Sequence, residues 1–342
     1  MKEENRNSSI ELLRVISMIL IVLAHFVTHN KLNTSNLKIE ILKNILVPGS
    51  QIAINCFIIM SGYFLINSKF KIKKFIKLVF EVLFYSTVIF TIFCLVNNEF
   101  ITKDNIILNL TPISHKLYWF FTNYIILYLL FPYINIMLKN LSKKQFQILL
   151  LILIVVYSII PTFISTALIF SELAWFITVY CIGAYIHLNK SKYFENLKLN
   201  LAIFIIGYIF IIVTIILFTI CKINPILRFG QLNKITVIII SINLFLIFLN
   251  VNIRSNKIIN EISKSTFGVY LIHEHYLMRM FLWEKLFNAS KISNSLKLIM
   301  YGVLATFLVY VMCTIIDFIR IKILEEKIFK VVDKKIFFNI RR

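Results

Sequence analysis

Ten apolar stretches recur from one end of this chain to the other, at approximately 10–29, 50–68, 75–97, 117–138, 146–165, 168–188, 199–221, 235–251, 265–287 and 298–319. Crossing about 30 Å of hydrocarbon takes about 20 mostly apolar residues. A backbone in lipid must satisfy its own hydrogen bonds, so runs of this length predict helices. The expected fold is therefore all-α, a polytopic membrane helical bundle of about ten transmembrane helices. Only 15% of the 342 residues are charged, against roughly 25% in soluble domains. No stretch is left over for a separate water-soluble domain.

The chain carries 37 Lys and Arg against 16 Asp and Glu, a net charge of +21. In a membrane chain such an excess marks loops facing anionic lipid, so membrane lipids and not nucleic acid are the expected contacts. With the N-terminus placed in the cytoplasm, the inner segments hold 24 Lys and Arg and the outer ones 11. The bias predicts both termini inside. Lys2 and Arg6 precede the first apolar run like the start of a signal peptide, but the run continues through Ala24, His25, Phe26 and Val27 with no small-residue cleavage site. It reads as a retained helix. Residues 320–342 mix basic and apolar positions at near-helical spacing, which predicts a basic amphipathic tail on the inner leaflet, with a regulatory or partner-binding segment as the alternative. The expected division is a transmembrane domain at 1–319 and this tail at 320–342. Five cysteines are scattered singly with no C-x-x-C pair, signalling neither a disulfide framework nor a thiolate metal site.

Ionisable groups inside a span cost a few kcal/mol and are functional candidates by default. Arg14 and His25, eleven residues apart in the first run, are separated by about 1100° of helical rotation, about 20° past three turns, and by about 16.5 Å of rise. They share one face. Glu11, three residues before Arg14, can hold its guanidinium. Taken singly, Arg14 could snorkel to the headgroups and His25 could cap the helix end. In the run at 265–287, Tyr270 and His273 share a face, while Glu274 and His275 are expected towards the outer rim. His273 and His275 at i, i+2 are poorly spaced for zinc and no H-E-x-x-H is present, so no metal site is expected. Ser61, Gly62 and Tyr63 stand together in the second run, where Gly62 can equally serve close helix packing. Tyr118 and Trp119 can be interfacial aromatics or site residues. Glu172, Trp175, Arg279 and Asp317 complete the polar set, with Asp317 expected to pair with Arg320.

Four of these segments resemble signatures of the membrane-bound acyltransferase-3 family, in the family's order. Arg14 and His25 are similar to its Arg-x10-His first helix, and Asn55 to Tyr63 to its Phe-rich run ending in Ser-Gly-aromatic. Trp119-Phe120 resembles its Trp-Phe pair and Tyr270-Leu271-Ile272-His273 its Tyr-Leu-x-His. Glu11 stands where the family usually has Asp, and Ile58 replaces the second Phe of a common pair. The hydrolase-like domain often fused to the family is not seen in these residues. The resemblance implies an integral membrane O-acyltransferase that moves an acyl group, acetyl by family frequency, from cytoplasmic acyl-CoA to a hydroxyl of a cell-surface glycan or lipid-linked sugar.

The polar residues suit that chemistry. An anionic nucleotide needs cations at the inner mouth, which Arg14 with Glu11, and Lys73 and Lys74 in the basic 69–77 segment, supply. His25 is placed to act as general base. Ser61, Tyr63, Tyr270 and His273 are candidate hydrogen-bond donors to the oxyanion, with Trp119 beside the acceptor or oxyanion. No Ser/His/Asp triad is evident, which favours direct transfer. Acyl-CoA is expected as co-substrate, with no permanently bound cofactor. Ile, Lys and Asn usage suggests an A/T-rich genome and a bacterial cytoplasmic membrane. The competing expectation is a transporter or flippase for a lipid-linked glycan, although 7 Gly, 5 Pro and no internal repeat offer little for the hinged helices such proteins use.

Overall fold

In the computed structural model, which describes residues 7–164, 171–223, 229–325 and 327, the chain leaves solvent through a capped helix start. The Asn7 side chain accepts hydrogen bonds from the Ser9 and Ile10 N–H groups and Glu11 sits in the first turn, so α1 (Ser8–His29) begins with its free donors met. The second helix, α2 (Leu37–Leu65), starts well before the apolar run expected at 50–68. Its polar first turns are held by packing, and buried Asn44 donates to the Thr219 hydroxyl at 3.2 Å. Pro48 lies inside this helix and costs it one N–H.

The chain continues as α3 (Ile72–Val96), α4 (Lys103–Leu110), α5 (Trp119–Asn140) and α6 (Lys143–Phe163). Next come α7 (Glu172–Leu188), α8 (Leu197–Ile220), α9 (Ile235–Asn250) and α10 (Lys257–Lys264). It closes with α11 (Thr266–Glu274), α12 (Tyr276–Arg279) and α13 (Ser295–Arg320). The described residues are all-helical, with no strand among them. Seven helices, α1, α2, α3, α5, α6, α8 and α13 with its following turn to Glu325, are long and apolar enough to cross a membrane. Helices α7 and α9 are apolar but shorter. Against the expected count of about ten, seven described helices are candidate spans, and α7 and α9 fall short of that length. The tenth stretch, 265–287, is not one helix, because it breaks at His275, whose ψ of 132° is non-helical. The basic tail expected at 320–342 lies outside the described residues at 326 and 328–342.

Burial separates core from periphery. The apolar window of α2 is 67% buried and that of α8 only 11%, so α2 is the central helix and α8 turns Ile205, Ile206, Ile209 and Phe210 outwards. Such all-round apolarity suits lipid. Helix α2 packs on α1 and α7, the second time through a backbone contact. A Cβ added at Gly62 would fall 2.1 Å from the Tyr180 carbonyl oxygen, and one at Gly183 would fall 2.2 Å from that of Ile59. This is the small-residue packing that membrane helices use. Beside it, Trp175 Nε1 donates to Asn55 Oδ1 at 3.0 Å and Asn55 Nδ2 donates to the Leu232 carbonyl at 2.9 Å.

A buried charge cluster ties α3 to α13. Arg320 lies 2.9 Å from Asp317, 3.0 Å from Glu81 and 2.9 Å from Glu325, and Lys77 reaches Glu325 at 2.6 Å. The Tyr85 hydroxyl donates to Asp317 at 2.7 Å. The expected Asp317–Arg320 pair is thus one link of a larger network. Gly268 of α11 rests on Asp317, where an added Cβ would come within 2.2 Å, so the network also sets the position of α11.

Candidate functional site

A cavity of about 330 Å³ lies among α1, α2, α3, α5 and α11. Arg14 and His25 both line it, as the common helix face requires. Arg14 is joined by Lys74 of α3, and its Nη1 lies 3.7 Å from Glu11. The walls between Arg14 and His25 are mostly apolar, with Met18, Ile21, Ile54 and Phe57 among them.

His25 is held from behind. Its Nδ1 lies 3.0 Å from His273 Nε2 and 3.0 Å from Glu274 Oε2. The protonation pattern follows from the network. His273 Nδ1 is 2.6 Å from the Val269 carbonyl, which can only accept, so this nitrogen carries the hydrogen. In the neutral ring His273 Nε2 is then an acceptor, and the hydrogen between the rings belongs to His25 Nδ1. The same hydrogen faces the Glu274 carboxylate. In a neutral His25 ring, Nε2 then carries the lone pair, the tautomer a general base requires.

Glu274, only 7% exposed, is surrounded by partners. Besides His25, His29 Nε2 lies at 3.4 Å and Arg279 Nη1 at 3.3 Å. A carboxylate is retained at such burial only when paired in this way. Its inward position corrects the expectation that Glu274 and His275 face the outer rim. The helix ends at Glu274 because His275 leaves helical geometry: its Nδ1 accepts from the Leu277 N–H at 3.3 Å, and its Nε2 meets Asn109 Oδ1 at 2.9 Å. With the chain turning there, continuous helical phase no longer decides where these side chains point, and both are buried. His25, His273 and Glu274 also offer ligand atoms within 4.8 Å of one another, a spacing open to a metal ion.

The cavity brings together Arg14, His25, Ser61, Lys74, Trp119 and Tyr270. His273 and Glu11 stand behind it, each against a lining residue. Tyr63 is directed elsewhere, its ring packed 4.7 Å from that of His187 and 5.4 Å from that of Phe245. Lys73 is exposed and is not part of the lining. Glu172 accepts from Asn123 at 2.8 Å, and Trp175 is locked onto Asn55. Two polar contributions escaped the sequence reading. Glu274 stood next to His273 in the motif, and Gln51, which lines the cavity with Ser50, was visible as an amide inside an apolar run.

A family model described as an acyltransferase domain matches residues 7–317, which include every residue of this cavity. Neither the curated proteins nor the solved structures offer a match to the chain.

Proposed function

The chain belongs to the acyltransferase-3 family, and from that premise we propose that this multipass membrane acyltransferase takes its acyl group, acetyl in the first instance, from acyl-CoA. The acceptor is a hydroxyl of a cell-surface glycan or lipid-linked sugar on the other side of the membrane. One observation carries the reading: Arg14 and an oriented His25 line the same narrow cavity, about 16.5 Å apart along one helix.

The cavity is at the small end of ligand pockets, which run to about 300–1,000 Å³. It suits a slim acyl-pantetheine arm, with the nucleotide left outside against Arg14, Lys74 and the rest of the 69–77 segment. At the far end, His25 Nε2 takes the acceptor hydroxyl proton as that oxygen attacks the thioester carbonyl. The Glu274 carboxylate stabilises the imidazolium and His273 fixes its orientation, the role an acid plays behind a catalytic histidine elsewhere. When the tetrahedral adduct collapses, the C–S bond breaks and the proton on His25 passes to the departing sulfur. An ester and free CoA thiol result, with no proton gained or lost.

The test is purified protein incubated with radiolabelled acetyl-CoA and candidate hydroxyl acceptors. Covalent label on an acceptor supports the enzyme, and acceptor flux without covalent transfer points to a transporter. Arg14→Ala is expected to weaken acetyl-CoA binding more than Arg14→Lys, because Lys keeps the charge and loses the planar fork. Unchanged donor affinity in the Ala variant would return Arg14 to a headgroup-snorkelling role.

The charge bias favours both termini in a bacterial cytoplasm, with residues 1–319 as the transferase domain and, after the buried Arg320, a basic sequence whose composition suits the inner leaflet. Cysteines introduced at 33, 104 and 291 should react with an impermeant reagent added outside intact cells. Those at 72, 143 and 192 should not, and the reverse pattern refutes this orientation.

A further inference from the structure

Tyr270 holds a hydroxyl that no other described residue uses. The residue is 5% exposed, its ring lines the cavity, and its oxygen has no hydrogen-bond partner among the described residues. Burying a donor unpaired is costly, and this one is also immobilised. The rings of Tyr118, Phe120, His273 and Phe267 surround it at centroid distances of 5.9, 5.8, 6.3 and 6.4 Å.

A second set of unused donors meets it there. Helix α5 begins at Trp119 and Phe120, both lining the cavity. Its cap residue Tyr118 supplies no side-chain hydrogen bond to the first turn, and the first backbone bond made is from Thr122 N–H to the Tyr118 carbonyl. Tyr118 instead donates its hydroxyl to the Leu271 carbonyl of α11 at 3.0 Å, which anchors the start of α5 beside Tyr270. Lys116, with φ of 51°, turns the chain just before it. The positive end of a 22-residue helix therefore opens at the cavity wall, where helix N-termini stabilise negative charge.

We propose that the first turn of α5 and the Tyr270 hydroxyl together form the oxyanion site, receiving the carbonyl oxygen of the acyl donor. The proposal rests on the acyl-transfer reading above and names the donors that reading leaves open. The other candidates are engaged or misplaced. Ser61 donates to the Phe57 carbonyl at 2.9 Å, His273 Nε2 faces the hydrogen of His25, and Tyr63 is outside the cavity. Tyr270 precedes His273 by three residues, about 4.5 Å of helix rise, and His273 touches His25. Base and oxyanion donors thus sit on adjoining levels of one wall. As the acceptor oxygen adds to the carbonyl carbon, the C=O π electrons move onto oxygen, where the Tyr270 hydroxyl and the α5 N–H groups meet them. They return to re-form C=O as the C–S bond breaks and the thiolate leaves.

Infrared difference spectra of [1-13C]acetyl-CoA bound to the full-length protein, without acceptor, test this directly. The thioester carbonyl band should shift to lower frequency on binding to wild type and to His25→Gln, and lose that shift in Tyr270→Phe. With an active acceptor, Tyr270→Phe should lower kcat by about 10²- to 10³-fold. An unshifted band in wild type, or a shift that survives Tyr270→Phe, overturns the proposal while leaving the His25 mechanism standing. Failure of acetyl-CoA to bind at all overturns the function reading and this inference with it. Should Tyr270→Phe fail to fold, 3,5-difluorotyrosine at position 270, a stronger donor, should deepen the shift, and an unchanged band refutes the assignment.

Discussion

His25→Gln is expected to lower acyl transfer by about 10² to 10⁴-fold, the usual worth of a general base, while acetyl-CoA binding and the melting temperature stay close to wild type. The geometry supports so selective an effect. The contacts of His25 with the rest of the fold run through Nδ1, to His273 and Glu274. A glutamine amide can still donate to that carboxylate, so the buried charge keeps a partner and the penalty of an orphaned group is avoided. What disappears is the lone pair at Nε2 of a residue that lines the cavity. The readouts are turnover at saturating donor, donor affinity and thermal unfolding of the same preparation. If more than about a tenth of the turnover remains, on the scale set by general-base catalysis, proton abstraction belongs to another group. A parallel fall in melting temperature would mark His25 as a structural residue.

The second large effect concerns folding. Arg320→Met should destabilise the protein by about 3–5 kcal/mol, the range for removing one partner of a buried ion pair. Arg320 is the common partner of Glu81, Asp317 and Glu325, and removing it strips a cation from all three carboxylates while Tyr85 still donates to Asp317 and Lys77 still meets Glu325. The loss should appear as a lower yield of folded protein and a lower unfolding temperature. Asp317→Asn added to Arg320→Met should restore part of it, because removing a second charge relieves the repulsion left by the first. A melting temperature for Arg320→Met equal to wild type would mean that the cluster carries no net stabilisation.

The parts of this molecule readable from its sequence are those fixed by neighbours a few residues away. The shared face of Arg14 and His25 follows from helical period, the pairing of Glu11 with Arg14 from a three-residue spacing, and the Asp317–Arg320 contact from the same spacing. Gly62 was legible as a close-packing residue for a similar reason. The unreadable parts depend on partners far along the chain. The break at His275 is set by Asn109, 166 residues away, and it turns Glu274 inwards against the phase of a continuous helix. The early start of α2 rests on Asn44 meeting Thr219, 175 residues on, so a polar stretch that reads as a loop folds as helix. Tyr63 sits two residues after Ser61 and therefore on another face of the same helix, a separation that proximity in the motif conceals. Composition says nothing about where α5 begins relative to the cavity, which the bond from Tyr118 to Leu271 decides.

The contact between His25 and His273 spans 248 residues. At synthesis rates of about 5–20 residues per second, about 12 to 50 s pass between the emergence of the first histidine and the second. For that interval the first helix sits in the bilayer with its imidazole lacking both His273 and Glu274, sheltered by the early-arriving α2, against which it packs. On the proposed mechanism, a nascent chain shorter than about 274 residues lacks the two side chains that orient His25, and transfer is expected to begin only when nearly all of the membrane domain is in place.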